Sequence, residues 1–235
     1  MKTLLLSYPR SGNSWCRYIL ESLTGRPTTG LPRLIHPWTG NAESHYFGDD
    51  EFDDDVIIKL HGDPTEVLPE SKLGETPLIQ KYFNKGYALI LLIRDPIEAI
   101  TRHEGHHARG FGHPDYYYFK NIKLFDSYNG LKTVVYYEDL IQNPKAFMRE
   151  LGVFMGVENY DQKVESFMDD FESHREASRQ FYSAAIAPPR TSGKPDSIKF
   201  HSSGYSQDYL KIQWAKITQH QDPEVLKYIE RYRVS

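Results

Sequence analysis

Cysteine is nearly missing: Cys16 is the single one in 235 residues. No internal disulfide can form, which excludes a disulfide-stapled secreted scaffold and suits a reducing interior. An excess of positive charge is missing too. Against 32 Asp and Glu stand 28 Lys and Arg, a formal charge of -4, so neither nucleic acid nor a membrane surface is expected as the main partner, because both demand a basic face. Long apolar runs do not occur. The opening MKTLLLSYPR has three consecutive leucines before a tyrosine, a proline and an arginine, too few for a signal-peptide core or a bilayer span. The expected location is cytoplasmic. Internal repeats are absent as well. What remains, 39% hydrophobic and 26% charged residues, is enough to bury one core, and a single domain over 1–235 is expected.

Four short apolar runs, at 3–7, 56–60, 88–93 and 133–137, read as buried parallel strands separated by helix-capable stretches, which predicts an α/β fold with a central parallel sheet flanked by helices. Behind the first run, Trp15, Ile19 and Leu23 share one helical face and Gly25 follows as a stop. A further helix is predicted from Asn143 and Pro144, an N-cap with proline in the first turn, with Phe147, Leu151, Phe154 and Met155 at core spacing and Gly156 at its end. The stretch 184–207 is rich in Pro, Gly and Ser without periodicity and reads as a long loop of the kind that forms lids. The acidic run 49–55 reads as a solvated connection.

Between the first strand and its helix lies SYPRSGNSW, residues 7–15. Aligned on Gly12, it has the length of a phosphate-binding loop of Walker A type, a three-layer nucleotide-hydrolase feature. Two positions differ. Asn13 stands where lysine would reach the β and γ phosphates of a nucleoside triphosphate, and the cation has moved to Arg10 at the crest. Backbone N–H groups of residues 11–15 at a helix start, with the hydroxyls of Ser11 and Ser14, suit a terminal anion without a magnesium-bound triphosphate. A tight turn in which Gly12 serves backbone geometry alone is the structural alternative.

YPRSGNSW resembles the YPKSGTTW signature of sulfotransferases that use 3′-phosphoadenosine-5′-phosphosulfate (PAPS) and release 3′,5′-adenosine bisphosphate (PAP). The resemblance implies that Ser11, Gly12, Asn13 and Ser14 hold the 5′-phosphosulfate while Arg10 stabilises the bridging oxygen. Three other strand ends continue it, in the family's order, over residues 3 to about 156. Lys59-Leu60-His61 is similar to the family's lysine, any residue, histidine element, which makes His61 the general base and Lys59 a stabiliser of the transferring group; a histidine's ordinary pKa of roughly 6.5 suits that task. Arg94-Asp95-Pro96 matches the start of the 3′-phosphate signature, so Arg94 would grip that phosphate. The family's serine eight residues later is Arg102 here, a second charged contact or a residue directed elsewhere. Tyr136-Tyr137-Glu138-Asp139-Leu140 looks like the family's YEDL, with Tyr137 on the adenine. Trp15 would stack on the same base or pack in the core. The family's late RKG loop has no match; Arg190, Lys194 and Lys199 are the nearest cations, and Lys199 is assigned to the cofactor.

A different signature intrudes at 103–113. HEGHHARGFGH fits the zinc-protease pattern letter for letter, with His103, His107 and His113 as ligands and Glu104 as base. A zinc hydrolase would leave the four strand-end motifs without a task. The resemblance instead puts His103, Glu104, His106, His107, His113 and the aromatics 116–119 at the rim of an acceptor pocket. The expectation is therefore a metal-independent PAPS sulfotransferase acting on a hydroxyl or amine of a small molecule or glycoside. A phosphotransferase of related fold and an inactive nucleotide-binding module are the alternatives.

Overall fold

The computed structural model describes residues 1–28, 57–61, 79, 82–106, 114–184 and 204–234. Four strands form one parallel sheet: β1 (Thr3–Ser7), β2 (Ile57–Leu60), β3 (Ala88–Ile93) and β4 (Lys132–Tyr136), in the order β2-β1-β3-β4. Because every pairing is parallel, all four C-terminal ends lie along one edge. From β1 the chain proceeds to β2 on one side, then crosses to β3 on the other. The β1/β3 boundary is thus the switch point, where open α/β sheets bind their ligands.

Helices cover both faces, and the period of two in the strands divides the core accordingly. Leu4, Leu6, Ile58, Leu60, Leu89, Leu91 and Ile93 face one layer, with Tyr118, Phe119, Ile122 and Phe125 of the helix α3 (Pro114–Ser127) and the C-terminal Val225 and Ile229. Leu5, Ile57, Ile90, Leu92 and Val135 face the other, with α1 (Asn13–Thr24), α5 (Pro144–Phe154) and α6 (Tyr160–Asp169). The result is the three-layer α/β architecture expected from the four apolar runs. Cys16 belongs to the second layer, and burial pushes its thiol up to about 12, so the lone cysteine is an inert packing residue.

Helix boundaries follow local chemistry. Gly25 ends α1 in the left-handed conformation at φ 69°, its N–H bonded to Glu21 O. The Asn143 side chain accepts from Ala146 N at the head of α5, with Pro144 in the first turn. Asp95 plays the same part for α2 (Pro96–His106), accepting from Ile97 N at 2.9 Å. The fourth strand stops at Tyr136 rather than 137, because Tyr137 opens the short helix α4 (Tyr137–Gln142). Two helices over stretches without local boundary signals, α6 and α7 (Phe171–Ala184), precede the C-terminal α8 (Gln207–Thr218), α9 (Pro223–Leu226) and a 3-10 turn at Glu230–Tyr232. Among the described residues no helix is long and apolar enough to cross a membrane. The acidic run 49–55, residues 107–113 of the histidine-rich stretch, and Arg190, Lys194 and Lys199 lie outside the described residues.

Candidate active site

The loop after β1 is built tightly. Arg10 sits at its crest with φ 68°, a left-handed conformation that costs a non-glycine residue about 1 kcal/mol or more, and it persists because its carbonyl accepts from Arg94 Nη1 at 3.0 Å. Gly12 follows at φ 87° and caps α1; a Cβ built on it would overlap the Tyr137 ring, so glycine is required for both shape and space. Asn13 turns inward. Its Oδ1 accepts from the Ser7 hydroxyl and its Nδ2 donates to Tyr8 O at 3.2 Å, which stitches the loop to the end of β1. The position that carries lysine in a triphosphate-binding loop is thereby used for loop structure. Ser11 is fully buried, and its Oγ has no hydrogen-bond partner among the described residues.

Across the switch point, Arg94 leaves β3 with a side chain only 7% exposed. Beside the bond to Arg10, Nη2 donates to Glu98 Oε2 at 2.6 Å, and the guanidinium lies 4.3 Å from the Tyr137 ring centroid. The buried Nε has no partner among the described residues. The Arg94 carbonyl accepts from Tyr118 Oη at 2.6 Å, which locks the strand end against α3. Arg102, two turns along α2, brings Nη2 to 3.8 Å from the same Glu98 oxygen. Burial and then the neighbouring Arg102 charge pull the Arg10 guanidinium below its ordinary value; burial and then Arg94 do the same to Arg102. Three arginines, from the loop after β1, the end of β3 and α2, therefore share one local field, with Glu98 as the carboxylate inside it.

On the β2 side, Lys59 is half-buried in register with Leu5, and His61 follows the strand. His61 Nδ1 lies 3.1 Å from Ser7 O and 3.5 Å from Ser7 Oγ. A carbonyl oxygen can only accept, so the neutral ring carries its proton on Nδ1 and presents its lone pair at Nε2. Asn121 Nδ2 donates to His61 O at 2.8 Å and fixes the backbone there.

Trp15 stacks on Tyr18 at 5.6 Å between ring centroids and borders Phe167 and Phe171, leaving the indole half-buried. Tyr118 and Phe119, expected at a pocket rim, are core residues, because α3 lays these two rings against the sheet. His103 meets Tyr8 edge-on at 5.2 Å.

Sequence reasoning passed over the residues that hold this site from below. Glu138 Oε1 accepts from Asp95 N at 3.1 Å, and its other oxygen accepts from the Tyr232 hydroxyl. Arg231 makes a two-pronged pair with Asp139 at 2.7 and 2.6 Å and lies 4.4 Å from the Tyr136 ring centroid. The local signal available was the acidic pair in YYEDL, which invites basic or hydroxyl partners without naming them.

No protein-family model matches the chain. It is 27% identical over 178 residues to a WSCD family member of Aedes aegypti, covering 65% of this chain, and 27% identical over 180 residues to one of Drosophila melanogaster, also 65%. The chain spans half the length of these relatives. Among solved structures, mouse sulfotransferase SULT7A1 complexed with PAP superposes with a TM-score of 0.45 at 11% identity, over 98% of this chain and 81% of that one.

Proposed function

We propose that the chain is a PAPS-dependent sulfotransferase whose acceptor is a hydroxyl or amine on a small molecule or glycoside. The observation that carries this reading is a pair of buried polar atoms, Ser11 Oγ and Arg94 Nε, unsatisfied among the described residues on the two sides of the β1/β3 switch point. Each costs about 1–3 kcal/mol if nothing takes it. An adenosine with an anion at each end of its ribose offers an acceptor to both. PAPS supplies the activated sulfuryl group.

The residues divide the work by position. The first-turn N–H groups of α1 lack helical acceptors by geometry and, with Ser11, Gly12, Asn13 and Ser14, bind the 5′ anion. Arg94 and Arg102 bind the 3′-phosphate. Tyr137 and the exposed part of Trp15 border the adenine, and Lys199 is assigned to closing the cofactor site. His61 Nε2 takes the proton of the acceptor hydroxyl, while Arg10 and Lys59 balance charge developing on the leaving and transferring oxygens of an in-line displacement. ATP-dependent phosphoryl transfer is disfavoured because Asn13 is committed to Ser7 and Tyr8.

Thermal unfolding with PAP, ADP, and ATP with magnesium tests the reading. At about 100 times its Kd a bound nucleotide adds roughly 2.7 kcal/mol, which in a chain of this size raises Tm by roughly 5–10 °C. PAP is expected to give that shift and ADP a smaller one. A larger shift with magnesium ATP, or none with PAP, overturns the reading.

A further inference from the structure

Arg94 is already half spent. In a guanidinium, Nε and Nη2 share one edge, the edge that grips an oxyanion side-on with two parallel bonds. Here Glu98 Oε2 sits on Nη2 at 2.6 Å while Nε, one atom away, is buried without a partner among the described residues. Glu98 thus takes one prong of a two-pronged fork. It is itself only 13% exposed, stands in the first turn of α2, and reaches towards Arg102 at 3.8 Å. The third donor, Nη1, is held by Arg10 O and is not available for exchange without loosening the loop crest.

We propose that Glu98 is a resident anion that an incoming 3′-phosphate must displace from Arg94. The inference rests on the nucleotide reading above. Replacing one carboxylate by another singly charged group on the same fork exchanges like for like and gains little. A phosphate monoester carries close to two charges near neutral pH and three acceptor oxygens. It fills the vacant Nε, takes Nη2, and adds a second charge between Arg94 and Arg102. Detaching Glu98 costs the same whichever anion arrives, so the carboxylate lowers the affinity for a 3′-phosphate, whose second charge and third oxygen offset that cost.

The test compares Glu98→Gln with wild type by calorimetry, using PAP and adenosine 5′-phosphate, which lacks the 3′ group. Removing the resident charge is expected to tighten PAP by about five-fold or more while changing adenosine 5′-phosphate less than two-fold. Glu98→Asp, one methylene shorter, draws back from Arg94 and gives a smaller gain in the same direction, which keeps the test usable if the glutamine variant folds poorly. PAP affinity unchanged or weakened in both variants overturns the exchange and leaves Glu98 as a strut for Arg94. An equal gain for both nucleotides also overturns it, since the effect is then a general field and not competition at the 3′ position. A wild-type chain that binds no PAP fails at the earlier step, refuting the nucleotide reading and the exchange with it.

Discussion

A histidine ring has two nitrogens, and at His61 the carbonyl of Ser7 decides which holds the proton. The same residue, Ser7, gives its hydroxyl to Asn13, so the end of β1 orients both the proposed base and the loop. This division separates binding from chemistry at single positions. His61→Ala removes the lone pair at Nε2 and deletes none of the side chains assigned to the nucleotide. Its turnover is expected to fall by about 10²–10⁴-fold, with the Kd for PAP, read by calorimetry, staying within about two-fold. Turnover at neutral pH that survives the substitution removes His61 from the role of base. The loop's charge at Arg10, its glycine and its serines were legible in the sequence because a strand, a fixed loop length and a helix start leave few choices. The inward turn of Asn13 was not, since an amide bonds equally well to a ligand or to its own loop.

Among the elements, the junction of β4 and α4 governs the site indirectly. Glu138 receives the N–H of Asp95 and the hydroxyl of Tyr232, so the C-terminal turn, the YYEDL segment and the start of α2 are tied at one carboxylate. Tyr232→Phe deletes one hydroxyl and keeps the ring against Tyr136. A hydrogen bond to a charged, half-buried group is worth about 1.5–3 kcal/mol, so the variant is expected to lose roughly that much unfolding free energy in urea. A loss below about 0.5 kcal/mol means that water replaces the hydroxyl and the turn is no anchor. None of this is readable from local pattern, because the partners are 43 and 94 residues apart. What local pattern does carry are the strands at 3–7 and 88–93, the Asn143 cap and the Gly25 stop, each specified by neighbours within a few positions. Tyr118 and Phe119 were misplaced for the converse reason: an aromatic run says that rings must be buried, and only the packing of α3 says against what.

At the scale of the whole molecule, the sequence could put Arg10, His61, Arg94 and Tyr137 after strand ends but not decide which strands are neighbours; the order β2-β1-β3-β4 brings Arg94 beside Arg10. The cost of that assembly is visible at Asp95. Burial, opposed by its bond from Ile97 N and aided by the nearby Glu98 and Glu138, pushes its carboxyl up from 3.8 to about 6. The folded state therefore binds this proton more tightly than the unfolded chain does. Any stability that proton contributes is fully present below about pH 4 and is lost as pH rises through 6. At about 1.4 kcal/mol per pH unit the full effect is up to about 3 kcal/mol, and the partial exposure of Asp95 reduces the expectation to roughly 1–2 kcal/mol. Asp95→Asn keeps an oxygen to cap α2 and cannot ionise. It is expected to be more stable than wild type by that amount at pH 7.5, with the gap closing towards pH 4, followed as the difference in unfolding free energy across the range. A variant less stable than wild type at every pH shows that the charged cap at the head of α2 outweighs the burial of its carboxylate.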